Sequence, residues 1–149
     1  MLLPILRRAL PCAVSLRRSF HVSAPRLRIF DPVRSEDELN TLLMLSTSRR
    51  LPLITLWSAS WCASCHTIRP LVQQLVDEQA RRGLLFGFAE IEIDLSSTAS
   101  LASLYSITSI PTILAFNRGS VLSDRIVDAR KAKDGRYLTL WLHECATAR

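Results

Sequence analysis

The chain has 149 residues, 48% of them hydrophobic, with only 4 Gly and 7 Pro. That is enough for one folded domain with a sizeable core, and it excludes a fibrous, low-complexity or largely disordered chain. The formal charge of +6 would suit a nucleic-acid or membrane-surface partner, but six of the 19 basic residues lie in the first 28 residues, which hold no acid, and the other 13 are matched by 13 acids. The rest of the chain is formally neutral, so no basic footprint for phosphates is left.

Arg7, Arg8, Arg17, Arg18, Arg26 and Arg28 lie among Leu, Ser and Ala in this acid-free leader. The arginine pairs interrupt the apolar runs, so neither the ~18–20 apolar residues of a membrane helix nor the long core of a secretory signal is present. Residues 1–28 therefore read as a mitochondrial transit peptide and 29–149 as the folded domain, which places the protein in the mitochondrial matrix. Arg18-Ser19-Phe20-His21-Val22-Ser23 resembles a two-step presequence cleavage site, cut first before Phe20 and then trimmed to leave Arg28.

Residues 28–33 allow a short edge strand, the only kind of strand position that tolerates Pro32. Ser35 and Glu38 form a capping box for a helix of about 36–47, with Leu39, Leu42, Leu43 and Leu45 as its apolar residues. Leu51 to Trp57 is a short, nearly continuous apolar run, suited to a strand covered on both faces. Ile68, Leu71, Val72, Leu75 and Val76 then follow the spacing of an amphipathic helix that Pro70 interrupts and Gly83 ends near Arg82. Leu84–Ile93 reads as a second buried strand, Thr98–Tyr105 as a short helix and Thr112–Phe116 as a third strand. Asn117-Arg118-Gly119-Ser120 is a hairpin turn into a strand of about 121–127. Asp134 caps a last helix whose Leu138, Trp141, Leu142 and Cys145 form one stripe, which makes Cys145 a small core residue. The early strand–helix–strand unit favours parallel pairing and the hairpin antiparallel pairing, giving an α/β fold with a central mixed β-sheet and helices on both faces.

Of the four cysteines, Cys12 lies in the leader and Cys145 on that stripe, so Cys62 and Cys65 are the one close pair. In a reducing compartment such a pair is more often catalytic or metal-binding than structural. Cys62 falls at the first turn of a helix, where unpaired N–H groups and the helix dipole favour a thiolate. Cys65 falls one turn deeper, within reach of a disulfide. The pair can attack, form a mixed disulfide and resolve it.

Trp61-Cys62-Ala63-Ser64-Cys65 after an apolar strand, Pro70 in the next helix, Ile93-Asp94 ending the second strand and Ser109-Ile110-Pro111-Thr112 opening the third resemble the thioredoxin family, from about Val33 to the last helix. The resemblance implies a thioredoxin fold and a thiol–disulfide oxidoreductase, read here as a protein-disulfide reductase in mitochondrial redox homeostasis. It makes Cys62 the nucleophile, Cys65 the resolving thiol, Trp61 a flank of the site, and Ile110 and Pro111, a cis-proline, the client-binding wall. Its implied partners are disulfide-bonded client proteins and a thioredoxin-reductase-like electron donor. No cofactor or metal, no nucleic acid and no membrane insertion are expected, and the chain is expected to work as a monomer.

The departures are specific. Ala63-Ser64 replaces the family's usual Gly-Pro, and Leu56 stands where a buried aspartate usually accepts the proton of the resolving thiol. Glu90 takes the place of a lysine near that aspartate, so Glu90 and His66 are the candidate proton acceptors. Asp128 replaces a glycine of the substrate groove. These changes leave a non-enzymatic binding or redox-sensing module as the alternative. Cys62 to His66 also spells the haem-attachment motif C-x-x-C-H, but after the leader Met44 is the only methionine available as a distal ligand. A zinc site would lack a second C-x-x-C.

Overall fold

The computed structural model describes residues 29–122 and 124–148. The expected transit peptide, its cleavage site and Cys12 lie outside them. The elements are α1 (Glu36–Arg49), β1 (Leu53–Ser58), α2 (Ala63–Arg81), β2 (Gly87–Glu92), α3 (Ala99–Leu104), β3 (Thr112–Asn117), β4 (Ser120–Val121), α4 (Ala129–Lys133) and α5 (Gly135–Thr147).

All six residues of β1 are buried, because the strand is central: the sheet order is β2-β1-β3-β4. β1 runs parallel to β2, from Leu53 opposite Gly87 to Ser58 opposite Glu92. It runs antiparallel to β3, from Leu53 opposite Phe116 to Trp57 opposite Thr112. The alternation of side chains then divides the core in two. Ile54, Leu56, Phe88, Ile113 and Ala115 pack under α2, α4 and α5. Leu53, Trp57, Ala89, Ile91, Leu114 and Phe116 pack under α1 and α3, where Tyr105 sits edge-on to Phe116 with ring centroids 5.3 Å apart. The sheet is mixed and covered on both faces, as expected.

Local signals placed the helices well. The Ser35 hydroxyl accepts from the Glu38 N–H at 3.2 Å, while the Glu38 carboxylate accepts from the N–H of Arg34 at 2.7 Å, so the box closes one residue earlier than in its usual form. Gly83 follows the end of α2 with φ +91°, a backbone conformation that costs glycine little. Asp134 caps α5 by accepting from the N–H groups of Arg136 and Tyr137.

The sheet edges differ from expectation. The segment before α1 makes only two isolated bridges, Ile29 with Phe88 and Val33 with Ile91, since Pro32 between them has no N–H to donate. Leu84 to Phe86 precede β2 without joining the ladder. The strand expected over 121–127 is broken: Val121 pairs with Phe116 and Ile126 with Ile113, so the returning chain carries two extra residues and bulges between those pairs. Beyond the bulge Asp128 opens α4, a helix with no strong sequence signal, by accepting from the Arg130 N–H at 2.8 Å.

Strand direction brings the ends of β1 and β2 and the start of β3 to one edge. There the backbone of Ser60, in the loop after β1, donates to the Asp94 carboxylate at 3.0 Å, and its hydroxyl does so at 2.5 Å. The hydroxyl and then the N–H of Ser60 hold the Asp94 carboxyl below the ordinary aspartate range. Because the folded value is depressed, the tether is complete above the ordinary value of ~3.9 and is lost as pH falls through the lower folded value. The Ser60 amide resonance is therefore expected to move as pH falls from about 5 to about 2, and to stay still in Asp94→Asn. A native amide that does not move would overturn the tether.

Candidate active site

The chain leaves β1 at Ser58 and turns through Ala59, Ser60 and Trp61, with the Cys62 N–H donating to the Ala59 carbonyl at 3.0 Å. Cys62 is the N-cap of α2, and its sulfur accepts from the Cys65 N–H at 3.2 Å. The two cysteines are joined as a disulfide with Cα atoms 5.3 Å apart. Cys65 is fully buried, whereas Cys62 retains 7% exposure, so of the two residues only Cys62 keeps some contact with solvent.

The first turn of α2 holds no acid, and its free N–H groups and the positive end of a 19-residue helix face the pair. A negative charge forming on Cys62 after reduction is stabilised there. Pro70 lies within an unbroken α2; with no N–H, it leaves the His66 carbonyl without the usual helical donor. His66 is exposed.

Across the edge, the Trp57–Thr112 register sets the start of β3 beside the cysteine loop. Ile110-Pro111 is a cis peptide, as the sequence implied. Ile110 packs against the cluster of Ala59, Cys62 and Cys65, Pro111 is buried, and Trp61 is 73% exposed. The structure thus gathers Cys62, Cys65, Ile110 and Pro111, with Trp61 standing out beside them. A cleft of about 440 Å³ between residues 30–33 and α1 contains none of them.

Beneath α2, Leu56 is fully buried and lies opposite Glu90 in the parallel register. Glu90 is the only charged side chain buried among the described residues. Its Oε1 accepts from the Ser58 hydroxyl at 2.7 Å, and its Oε2 accepts from the Arg69 guanidinium at 2.8 Å. Arg69 and Ser58 escaped the sequence reading. The signal for Arg69 was a basic residue beside Ile68 on the buried stripe of α2, four residues after Cys65.

Two further residues acquire roles. Asp128 serves α4 as N-cap, and the Arg130 N–H holds its carboxyl below the usual aspartate range. Cys145 is buried and free; burial, then Glu144 and Asp124, pushes its thiol up to about 12. It stays protonated and unreactive at physiological pH, which agrees with its place on the α5 stripe.

The thioredoxin family model matches residues 35–137. Among similar proteins, thioredoxin C-2 of Corynebacterium nephridii is 31% identical over 86 residues, 58% of this chain and 74% of its own. The chloroplastic M-type thioredoxin of Zea mays is 29% identical over 122 residues, 80% of this chain and 69% of its own. The crystal structure of oxidized thioredoxin O2 from Arabidopsis thaliana superposes with a TM-score of 0.63 at 21% identity, covering 80% of this chain and 95% of that one, which is a likeness of fold. The matched region contains the disulfide of Cys62 and Cys65 and the cis-proline edge beside it, and the chain belongs to the thioredoxin family of thiol–disulfide oxidoreductases.

Proposed function

We propose that the protein is a protein-disulfide reductase of the mitochondrial matrix, with Cys62 as nucleophile and Cys65 as resolving thiol. The observation that carries the division of labour is the difference in position. Cys62 caps α2 and reaches the surface, while Cys65 is fully enclosed one turn below. In the reduced protein the Cys62 thiolate attacks a client disulfide. A bond forms between its sulfur and one client sulfur, the client S–S bond breaks, and the departing client thiolate takes a proton. Cys65 then gives up its proton and attacks the Cys62 sulfur, which closes the internal disulfide and releases the second client thiolate for protonation. The client gains two electrons and two protons, and a thioredoxin-reductase-like donor restores the pair.

Trp61, Ile110 and Pro111 form the wall on which the client lies. The Ile110 backbone is placed to pair with an extended client segment in the manner of an added strand. For the Cys65 proton, Glu90 is the better placed of the two candidates: it is buried beneath α2 and bonded to Arg69, one turn past Cys65, whereas His66 is exposed. The matrix assignment rests on the acid-free, arginine-rich leader and is supported by an organelle-targeted relative, the chloroplastic protein of Zea mays.

Insulin reduction with a thiol donor tests turnover. The native chain is expected to reduce insulin and Cys62→Ser to lose the activity, while equal, unaccelerated rates in both would mark a binding module. In the same experiment Cys65→Ser is expected to accumulate client mixed disulfides through Cys62, and Cys62→Ser none; equal trapping by both variants would overturn the roles.

Intact mass of the protein recovered from mitochondria is expected to show a first residue between Phe20 and Phe30. A matrix form that begins at Met1 would remove the transit-peptide assignment.

A further inference from the structure

We propose that Arg69 is a positioning residue for disulfide exchange: its guanidinium compensates the charge of the buried Glu90 carboxylate and holds it in place to accept the Cys65 proton. The inference rests on the reading of Glu90 as that acceptor. Glu90 is 4% exposed, and a carboxylate so far from water is costly to bury unless a cation and hydrogen bonds compensate its charge. Arg69 supplies the cation at 2.8 Å, and the Ser58 hydroxyl supplies a second bond to the other oxygen at 2.7 Å. These contacts use one lone pair on each oxygen and leave acceptor capacity on both.

The placement suits a proton transfer at Cys65. Arg69 follows Cys65 by four residues in α2, the spacing that stacks side chains on one helix face with Cβ atoms about 5–6 Å apart. Ser58 precedes Cys62 by four residues and ends β1. The carboxylate is thus bonded to the helix turn after Cys65 and to the last residue of the strand that leads into the cysteine loop. Few other charges compete. Among the described residues, α2 offers Arg69 and Cys65 on this face, and β1 offers only Leu56 and Ser58. Glu92, two residues along the same face of β2, is paired with Arg34 at 3.5 Å. His66 is exposed. In the step itself the proton leaves the Cys65 sulfur for a Glu90 oxygen as that sulfur bonds to Cys62 and the client thiolate departs. The departing client thiolate is protonated by solvent. When the pair is next reduced, the Cys65 sulfur leaves as a thiolate and takes its proton back from Glu90, which is thereby free for another cycle.

The test is the rate at which Cys65 releases thionitrobenzoate from a mixed disulfide on Cys62, followed by stopped flow across pH. In Arg69→Met this rate is expected to fall about tenfold; Arg69→Lys is expected to restore most of it. Arg69→Gln, which keeps a donor without the charge, serves with the same expectation should Arg69→Met fail to fold. In Glu90→Gln the release is expected to slow, and adding Arg69→Met to it is expected to change nothing further. The alkylation rate of Cys62 in the reduced protein is expected to stay near native throughout, a result that a general loosening of α2 would not give. If Glu90→Gln slows release but Arg69→Met releases at the native rate, the role of Arg69 is overturned and that of Glu90 stands. If Glu90→Gln releases at the native rate, Glu90 is not the acceptor and both readings fall.

Discussion

The site depends on strand direction. β1 lies between a parallel and an antiparallel neighbour, so its C-terminal end shares one sheet edge with the end of β2 and the start of β3. Cys62 follows β1, Asp94 follows β2 and Pro111 precedes β3, and all three loops are brought to that edge by the same ladder. Six buried residues in β1 make this arrangement costly to shift, because a slip of one residue would turn each inward side chain to the opposite layer.

Within that frame the helix places the charge. Cys62 caps α2, so the end of the helix dipole and its unpaired N–H groups act on the cysteine of the pair that keeps some exposure. Cys65, one turn below, has no such advantage and packs with Ala59, Cys62 and Ile110. The carboxylate on this side of the sheet has moved one strand over, to Glu90. There it is paired with the guanidinium of Arg69, which ties that charge to the seating of α2 on the sheet.

The face around the disulfide suits a protein substrate. Trp61 stands exposed beside the cis-proline edge, and the site residues do not line the 440 Å³ cleft near α1; an extended backbone can approach such an edge where a small ligand would find little enclosure. Cys145 shows the contrast between the two kinds of thiol in the chain. It sits mid-stripe in α5 with its thiol pushed up to about 12, far from any helix N-terminus, and it packs as a small apolar residue.

Where a property depends on residues close in sequence, the sequence by itself determined it. The spacing of Cys62 and Cys65, the N-caps at Ser35 and Asp134, the stripes of α2 and α5 and the continuous apolar run of β1 are all local patterns whose period or cap chemistry dictates the outcome. The tertiary structure alone decided what joins distant residues. Arg69 meets Glu90 across 21 positions, Ser58 meets Glu90 across 32, and Ser60 meets Asp94 across 34. No local propensity encodes those partners. The bulge before Ile126, and α4 behind it, were hidden for a related reason: the returning chain must meet Ile113 on one side and pack Ala132 under α2 on the other. The sequence of 121–127, with apolar residues at both ends, carries no record of the two residues left over when both demands are met.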